Sequence, residues 1–265
     1  FCNMIRFLKY ELKRSRGFFL LMALFAIISQ GLVGIFYKLN SFELENKNTS
    51  FFILLIALAL IILSVCLIFF TIRYKRDIFD KSSYITFTIN ISVAKIIFAK
   101  FLASLVIGFL SLVVFVGSLI ISSKFLGIYD DLINISIKVL MVYVFVLEIY
   151  YSIAYLLLVF GITLSKVQIF RRYYSFVSVV LSIVLFTIIV WLLRNIYTIS
   201  PVILRFKDFA IQRIININGV DISMLYNGVD GKVLGINIWM LTFSILIIAV
   251  TFFYNVFLIE EKIDF

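Results

Sequence analysis

Long apolar runs alternate with short polar segments along the whole chain. Uncharged runs occupy 18–37, 51–72, 101–121, 173–193 and 234–259, and a sixth run, 139–164, carries a single acid, Glu148. A bilayer core of about 30 Å is crossed by about 20 apolar residues in a helix. Within lipid the backbone polar groups must be satisfied inside the segment, so each run predicts a transmembrane helix. The first run is too long for a signal peptide and has no small-residue cleavage site, so it reads as a retained anchor. The predicted fold class is therefore all-α: a polytopic membrane protein with six transmembrane helices in a single domain over 1–265.

Composition agrees with this pattern and removes most alternatives. Of 265 residues, 64% are hydrophobic and 14% charged, and the mean hydropathy is +1.17. Soluble domains average about 45–50% apolar and about 25% charged, so soluble globular and disordered classes are excluded. There is no His, and the only cysteines are Cys2 and Cys66. Neither a disulfide framework nor a Cys/His metal cluster can be built.

The net charge of +10 is placed by topology rather than by a nucleic acid. Lys and Arg number 15 in the N-terminal segment, in 73–100, in 166–172 and at Lys262. Two short loops on the other side hold 4, namely Lys38, Lys47, Lys124 and Lys138. The excess of basic residues marks the cytoplasmic face, with both termini on it.

On that face, Met4 to Arg16 has Met4, Ile5, Leu8 and Leu12 on one helical side and Arg6, Lys9, Lys13 and Arg16 on an adjacent stripe. This predicts an interfacial amphipathic helix over 4–16, with its cations near anionic lipid. The segment Arg73–Lys100 is too polar to span and mixes charges with Ile78, Phe79, Tyr84, Ile85 and Phe87. Such a cytoplasmic loop suits the docking of another protein, or else packs under the helices. Ser92 is a candidate N-cap for the third span.

The string SSYITFTINISVAKIIFAKFLAS within this segment resembles the permease subunits of bacterial type-2 ABC exporters. Tyr84, Thr86, Thr88, Ser92, Lys95 and Lys100 fall on the family's motif, while Asn90 stands where the family often has Pro. The six-span layout, the basic N-terminal helix and the long segment before the last span are similar as well. The resemblance covers the whole chain in layout and about 30 residues in motif. It implies that 73–100 carries a coupling helix for a cytoplasmic ATPase subunit, with Asp77, Asp80, Ser82, Ser83 and Tyr84 at or near that contact. It also implies a second permease copy or paralogue, ATP and Mg bound by the partner ATPase, and a re-entrant hairpin closing the outer end within 194–235.

The chain holds no nucleotide site of its own. Its nearest approach to a phosphate-binding loop, GVDGK at Gly228–Lys232, lacks the glycine spacing and the following hydroxyl. No cofactor is expected in this chain, and no catalytic role. Ser200-Pro201 reads as a helix start, with Ile203, Phe206, Ala210 and Ile214 on one face, and Asn218-Gly219, Asn227-Gly228 and Asp230-Gly231 as turns.

Glu148 is the one ionisable acid inside a span, with Tyr151, Ser152 and Tyr155 on the same helical face. The stripe either lines a pathway for cationic or amphipathic cargo (peptide, lipid-like compound or drug) or locks helix packing. Gly31 with Gly34 and Ser104 with Gly108 allow close helix approach. Two other functions stay open: a proton-coupled secondary transporter using Glu148, and a sensing or immunity membrane protein. A membrane enzyme has few candidate groups, because the spans contain no paired acids and no Cys–base pair.

Overall fold

A computed structural model describes residues 2–39, 47–79, 91–125, 137–166, 174–199, 202–205, 211–213, 225–227 and 233–261. Six long helices dominate: α1 (Cys2–Leu39), α2 (Lys47–Phe79), α3 (Val93–Phe125), α4 (Ile137–Ser165), α5 (Tyr174–Ile199) and α6 (Ile238–Glu261). All six are long and apolar enough to cross a membrane, as a multi-pass membrane protein requires. The chain divides into two compact units, Phe1–Glu148 and Ile149–Phe265.

In the first unit α1 packs most extensively on α3, and α2 packs on α3 as well. Small fully buried residues, Ala26, Ala99, Ala103 and Ser104, let these helices approach closely. Phe18 stacks on Phe69 with ring centroids 3.8 Å apart, joining α1 to α2. Near mid-span the Cys66 thiol lies 4.0 Å from the Ser111 hydroxyl of α3.

Two features of this unit differ from the sequence expectation. Helix α1 runs unbroken from Cys2 to Leu39, so 4–16 is the first part of one rod rather than a separate interfacial helix. At 1.5 Å per residue its 38 residues span about 57 Å, well beyond the apolar core. Helix α2 likewise stays helical to Phe79, so 73–79 is helix and not loop. Ile78, expected on an exposed side, is fully buried. Ser92 does sit at the N-cap position of α3, its carbonyl accepting from the N–H groups of Lys95 and Ile96.

In the second unit, strands β1 (Val202–Arg205), β2 (Ile211–Arg213), β3 (Leu225–Asn227) and β4 (Val233–Asn237) form an antiparallel sheet in the order β2-β1-β4-β3. This replaces the helix expected after Pro201. The strands are rich in Val, Ile and Leu, and Asn-Gly after β3 is a hairpin signal. The register shifts between Tyr226 and Asn227, a bulge that leaves Leu234 extra in β4. The all-α reading thus holds for the membrane-crossing part, and a small sheet is added to it. The last span was expected from residue 234, but 234–237 belong to β4. Asn237 ends that strand and caps α6, its Oδ1 accepting from the Met240 N–H at 3.0 Å.

Helices α4 and α5 meet at Gly161, where a Cβ would stand 2.5 Å from the Ser178 carbonyl oxygen and collide with the Ser182 hydroxyl. Ser182 donates to the Leu157 carbonyl at 3.1 Å. Gly31, which the sequence reading marked for close approach, has nothing within 4 Å of its added Cβ. The prediction discriminates between the two glycines. Gly161→Ala should cost about 1–3 kcal/mol through overpacking, whereas Gly31→Ala should be neutral or gain up to about 1 kcal/mol of helix propensity. Thermal unfolding in detergent micelles measures both.

Candidate functional site

The densest chemistry among the described residues is a buried ion network at the basic end of the first unit. Three helices supply it: Glu11, Arg14 and Ser15 from α1, Arg73, Arg76 and Asp77 from α2, and Lys100 from α3. The positions on α1 are i, i+3 and i+4, and those on α2 are i, i+3 and i+4, so each set occupies one helical face.

Lys100 is the hub. Its Nζ lies 2.6 Å from Asp77 Oδ2 and 3.1 Å from Glu11 Oε1, and 5.9 Å from the centre of the Phe7 ring. Arg73 Nη2 reaches Glu11 Oε2 at 2.6 Å, its Nη1 donates to the Ser15 hydroxyl, and its Nε lies 3.8 Å from Asp77 Oδ2. The Ser15 hydroxyl in turn donates to the Glu11 carbonyl at 2.9 Å. Arg14 Nη1 donates to both Asp77 oxygens, at 3.3 and 3.2 Å, and Arg76 Nε lies 3.9 Å from Oδ1.

Glu11, Arg73, Asp77 and Lys100 are all buried, as are Phe7, Tyr74, Ile78, Ile96 and Ile97 of the same three helices. Ions taken out of water are tolerated only when paired and hydrogen-bonded. Each carboxylate here receives at least two cations. The network therefore fixes the relative register of α1, α2 and α3 at this end.

Of the expected coupling residues, Asp77 alone is among the described residues. Asp77 is in α2 with its carboxylate inside the network, not at a loop surface. Asp80, Ser82, Ser83 and Tyr84 lie outside the described residues. Of the stripe expected on α4, Tyr151, Ser152 and Tyr155 are buried, as are both carboxylate oxygens of Glu148. Sequence reasoning missed Glu11. It is the lone acid among the basic residues of 4–16, and its partners lie on other helices. Arg73 and Lys100 were read as topology charges, although Arg73–Asp77 is a visible i,i+4 pair.

In the second unit Thr163, Ser182, Ser244 and Asn255 donate to backbone carbonyls. Asn255 Nδ2 donates to the Thr251 carbonyl at 2.8 Å and to the Leu156 carbonyl of α4 at 3.4 Å. Among the described residues no group of three or more His, Cys, Asp or Glu could hold a metal ion.

Comparison of the chain with family models, with curated proteins and with solved structures finds no match.

The network makes a testable claim about stability. Asp77→Asn should cost about 3–5 kcal/mol, because it leaves buried cations without their counter-charge. The double variant Asp77→Asn/Lys100→Met should cost less than the sum of its single changes, with a coupling of about 0.5–3 kcal/mol. A double-mutant cycle on thermal unfolding reads this directly, and strict additivity would show that the two side chains do not interact.

Proposed function

We propose that this chain is the membrane-spanning permease subunit of an ATP-driven exporter of the type-2 ABC kind. In this reading it is not an enzyme. A separate cytoplasmic ATPase subunit binds ATP and Mg, a second permease copy or paralogue completes the pathway, and an amphipathic cargo leaves the cell. The chain sits in a bacterial plasma membrane with both termini cytoplasmic; the abundance of Ile, Lys, Asn and Phe fits an AT-rich genome.

One observation carries the reading. The segment 80–92, which holds the motif residues Tyr84, Thr86, Thr88 and Ser92, is bracketed in sequence by Asp77 and Lys100, and these two are ion-paired at 2.6 Å. Glu11 of α1 joins the same pair through Lys100 at 3.1 Å. A load applied to such a segment is shared among three helices at once, which is what an element driven by a soluble motor needs. Nucleotide-driven closure then acts as a population shift between states of the permease. Asp77 serves this coupling by holding the segment, and Asp80, Ser82, Ser83 and Tyr84 make the contact with the ATPase.

The Glu148 stripe lines the pathway in this reading. A carboxylate within a span attracts cationic groups of the cargo, and the neighbouring Tyr and Ser hydroxyls hydrogen-bond its polar parts.

The test is co-purification. Tyr84→Ala and Asp80→Ala should abolish capture of the ATPase subunit while thermal unfolding of the permease is unchanged. Normal capture by both variants would sink the proposal. Transport that persists with no ATPase present, and whose pH dependence disappears in Glu148→Gln, would instead favour a proton-coupled carrier.

A further inference from the structure

We infer that a cationic column on α1, formed by Arg6, Lys9, Lys13 and Arg16, binds the phosphate headgroups of anionic phospholipids in the leaflet that borders the start of this helix. The first reason is uncommitted charge. All four residues are exposed. Among the described residues none of the four side chains makes an ion pair or a hydrogen bond. Glu11, the acid within the same stretch, lies on the opposite side of the helix, buried and held by Arg73 and Lys100. It leaves the column unneutralised.

The second reason is where the column leads. At 3.6 residues per turn the four cations fall within about 80° of the helix circumference. Leu20, Leu24 and Ile27 continue the same sector into the apolar run, and all three are more than half exposed. The face of the rod that carries the cations is therefore the face turned to lipid further on. An interfacial helix would lay these cations flat along the membrane; the unbroken helix stands them one above another. At 1.5 Å per residue, Arg16 lies about 3 Å and Lys13 about 8 Å before Phe18, the depth of a headgroup layer about 5–7 Å thick. Lys9 and Arg6 follow at about 14 and 18 Å, roughly one Debye length beyond that layer at most. Acyl chains along the ridge and phosphates along the column make the two-part fit of a phospholipid. An acidic surface of a soluble protein would use the cations but not the ridge. The site does not depend on the transport reading above.

Native mass spectrometry of the whole chain, released from micelles holding equal phosphatidylglycerol and phosphatidylcholine, tests the inference. The unmodified protein should retain phosphatidylglycerol in preference. Lys13→Gln and Arg16→Gln should each lower that preference about fivefold, and together about twenty-five-fold, following the usual contribution of a basic side chain near anionic lipid. The charge-keeping pair Lys13→Arg/Arg16→Lys should leave it unchanged. Thermal unfolding in phosphatidylcholine micelles should be the same for all these variants, which keeps a loss of lipid distinct from a loss of fold. Equal retention of the two lipids by the unmodified protein, or an unaltered preference in the doubly neutralised variant, overturns the inference. Displacement of the lipid by polyglutamate would overturn it by assigning the column to an acidic protein, and displacement by glycerol 3-phosphate by assigning it to a soluble phosphate.

Discussion

A charge withdrawn from water has to meet its opposite within hydrogen-bonding distance, and this requirement organises one end of the molecule. Glu11 can be buried only because Arg73 and Lys100 reach it from two other helices, and Asp77 only because Arg14, Arg73 and Lys100 do. The consequence runs back to local structure. With residues 11, 14 and 15 committed to α2 and α3, the start of α1 cannot turn aside to lie along a membrane surface. It continues as one rod into the apolar stretch, and Gly17, which has nothing within 4 Å of an added Cβ, leaves that rod unbroken. The same commitment extends α2 past its apolar run to Phe79. At 1.5 Å per residue, Glu11, Arg14 and Ser15 lie about 5–10 Å before the first apolar run, which sets the network outside that run rather than in its middle.

Depth also sorts the rest of the polar groups. Within the apolar runs the helices associate through small and neutral polar residues: the Cys66–Ser111 contact, the Gly161 crossing with Ser182, and Asn255 on the Leu156 carbonyl. These partners avoid the penalty that an ion would incur in hydrocarbon, while still ordering the helices relative to one another. The ion pairs of Glu11, Asp77, Arg73 and Lys100 lie toward helix ends, where partial access to water and headgroups lowers that penalty. The protein thus uses two kinds of glue, and the choice between them follows the local dielectric.

This explains what the sequence made legible. The six spans were readable because a bilayer imposes a length and a composition on each crossing, and no tertiary information is needed to apply them. The helix ends were not. Density of charge in 73–79 was taken as a sign of solvent, whereas Arg73 and Asp77 pair with Glu11, Arg14 and Lys100 on the neighbouring helices. Glu11 stood out only as an acid among bases, and nothing local named Arg73 and Lys100 as its partners. The segment after Pro201 offered apolar spacings compatible with a helix, but Val, Ile and Leu in three- to five-residue groups, with Asn-Gly nearby, satisfied an antiparallel sheet instead. Gly161 with Ser165 is a small-residue pair at i,i+4 that went unread, and the role of Gly161 became visible only with Ser178 and Ser182 placed against it.

Glu148 is the exception to the sorting by depth. It lies eleven residues into α4 from Ile137 and seventeen from Ser165, or about 17 Å and about 26 Å along the axis. No other Asp, Glu, Lys or Arg occurs inside the six apolar runs. Helix packing elsewhere among the described residues uses Ser, Asn and Gly at lower cost, so a carboxylate at this depth asks for a reason of its own. The proposed transport role does give one. A carboxylate flanked one and two turns on by Tyr151, Ser152 and Tyr155 can exchange partners between protein and a passing cationic group, which a neutral amide cannot do with comparable strength. The network at the helix ends has the opposite property: its buried carboxylates are each held by at least two cations and are fixed. An acid meant to interact with something transient has to be kept apart from such a network, and the chain separates them by placing one at the ends of three helices and the other near the middle of a fourth.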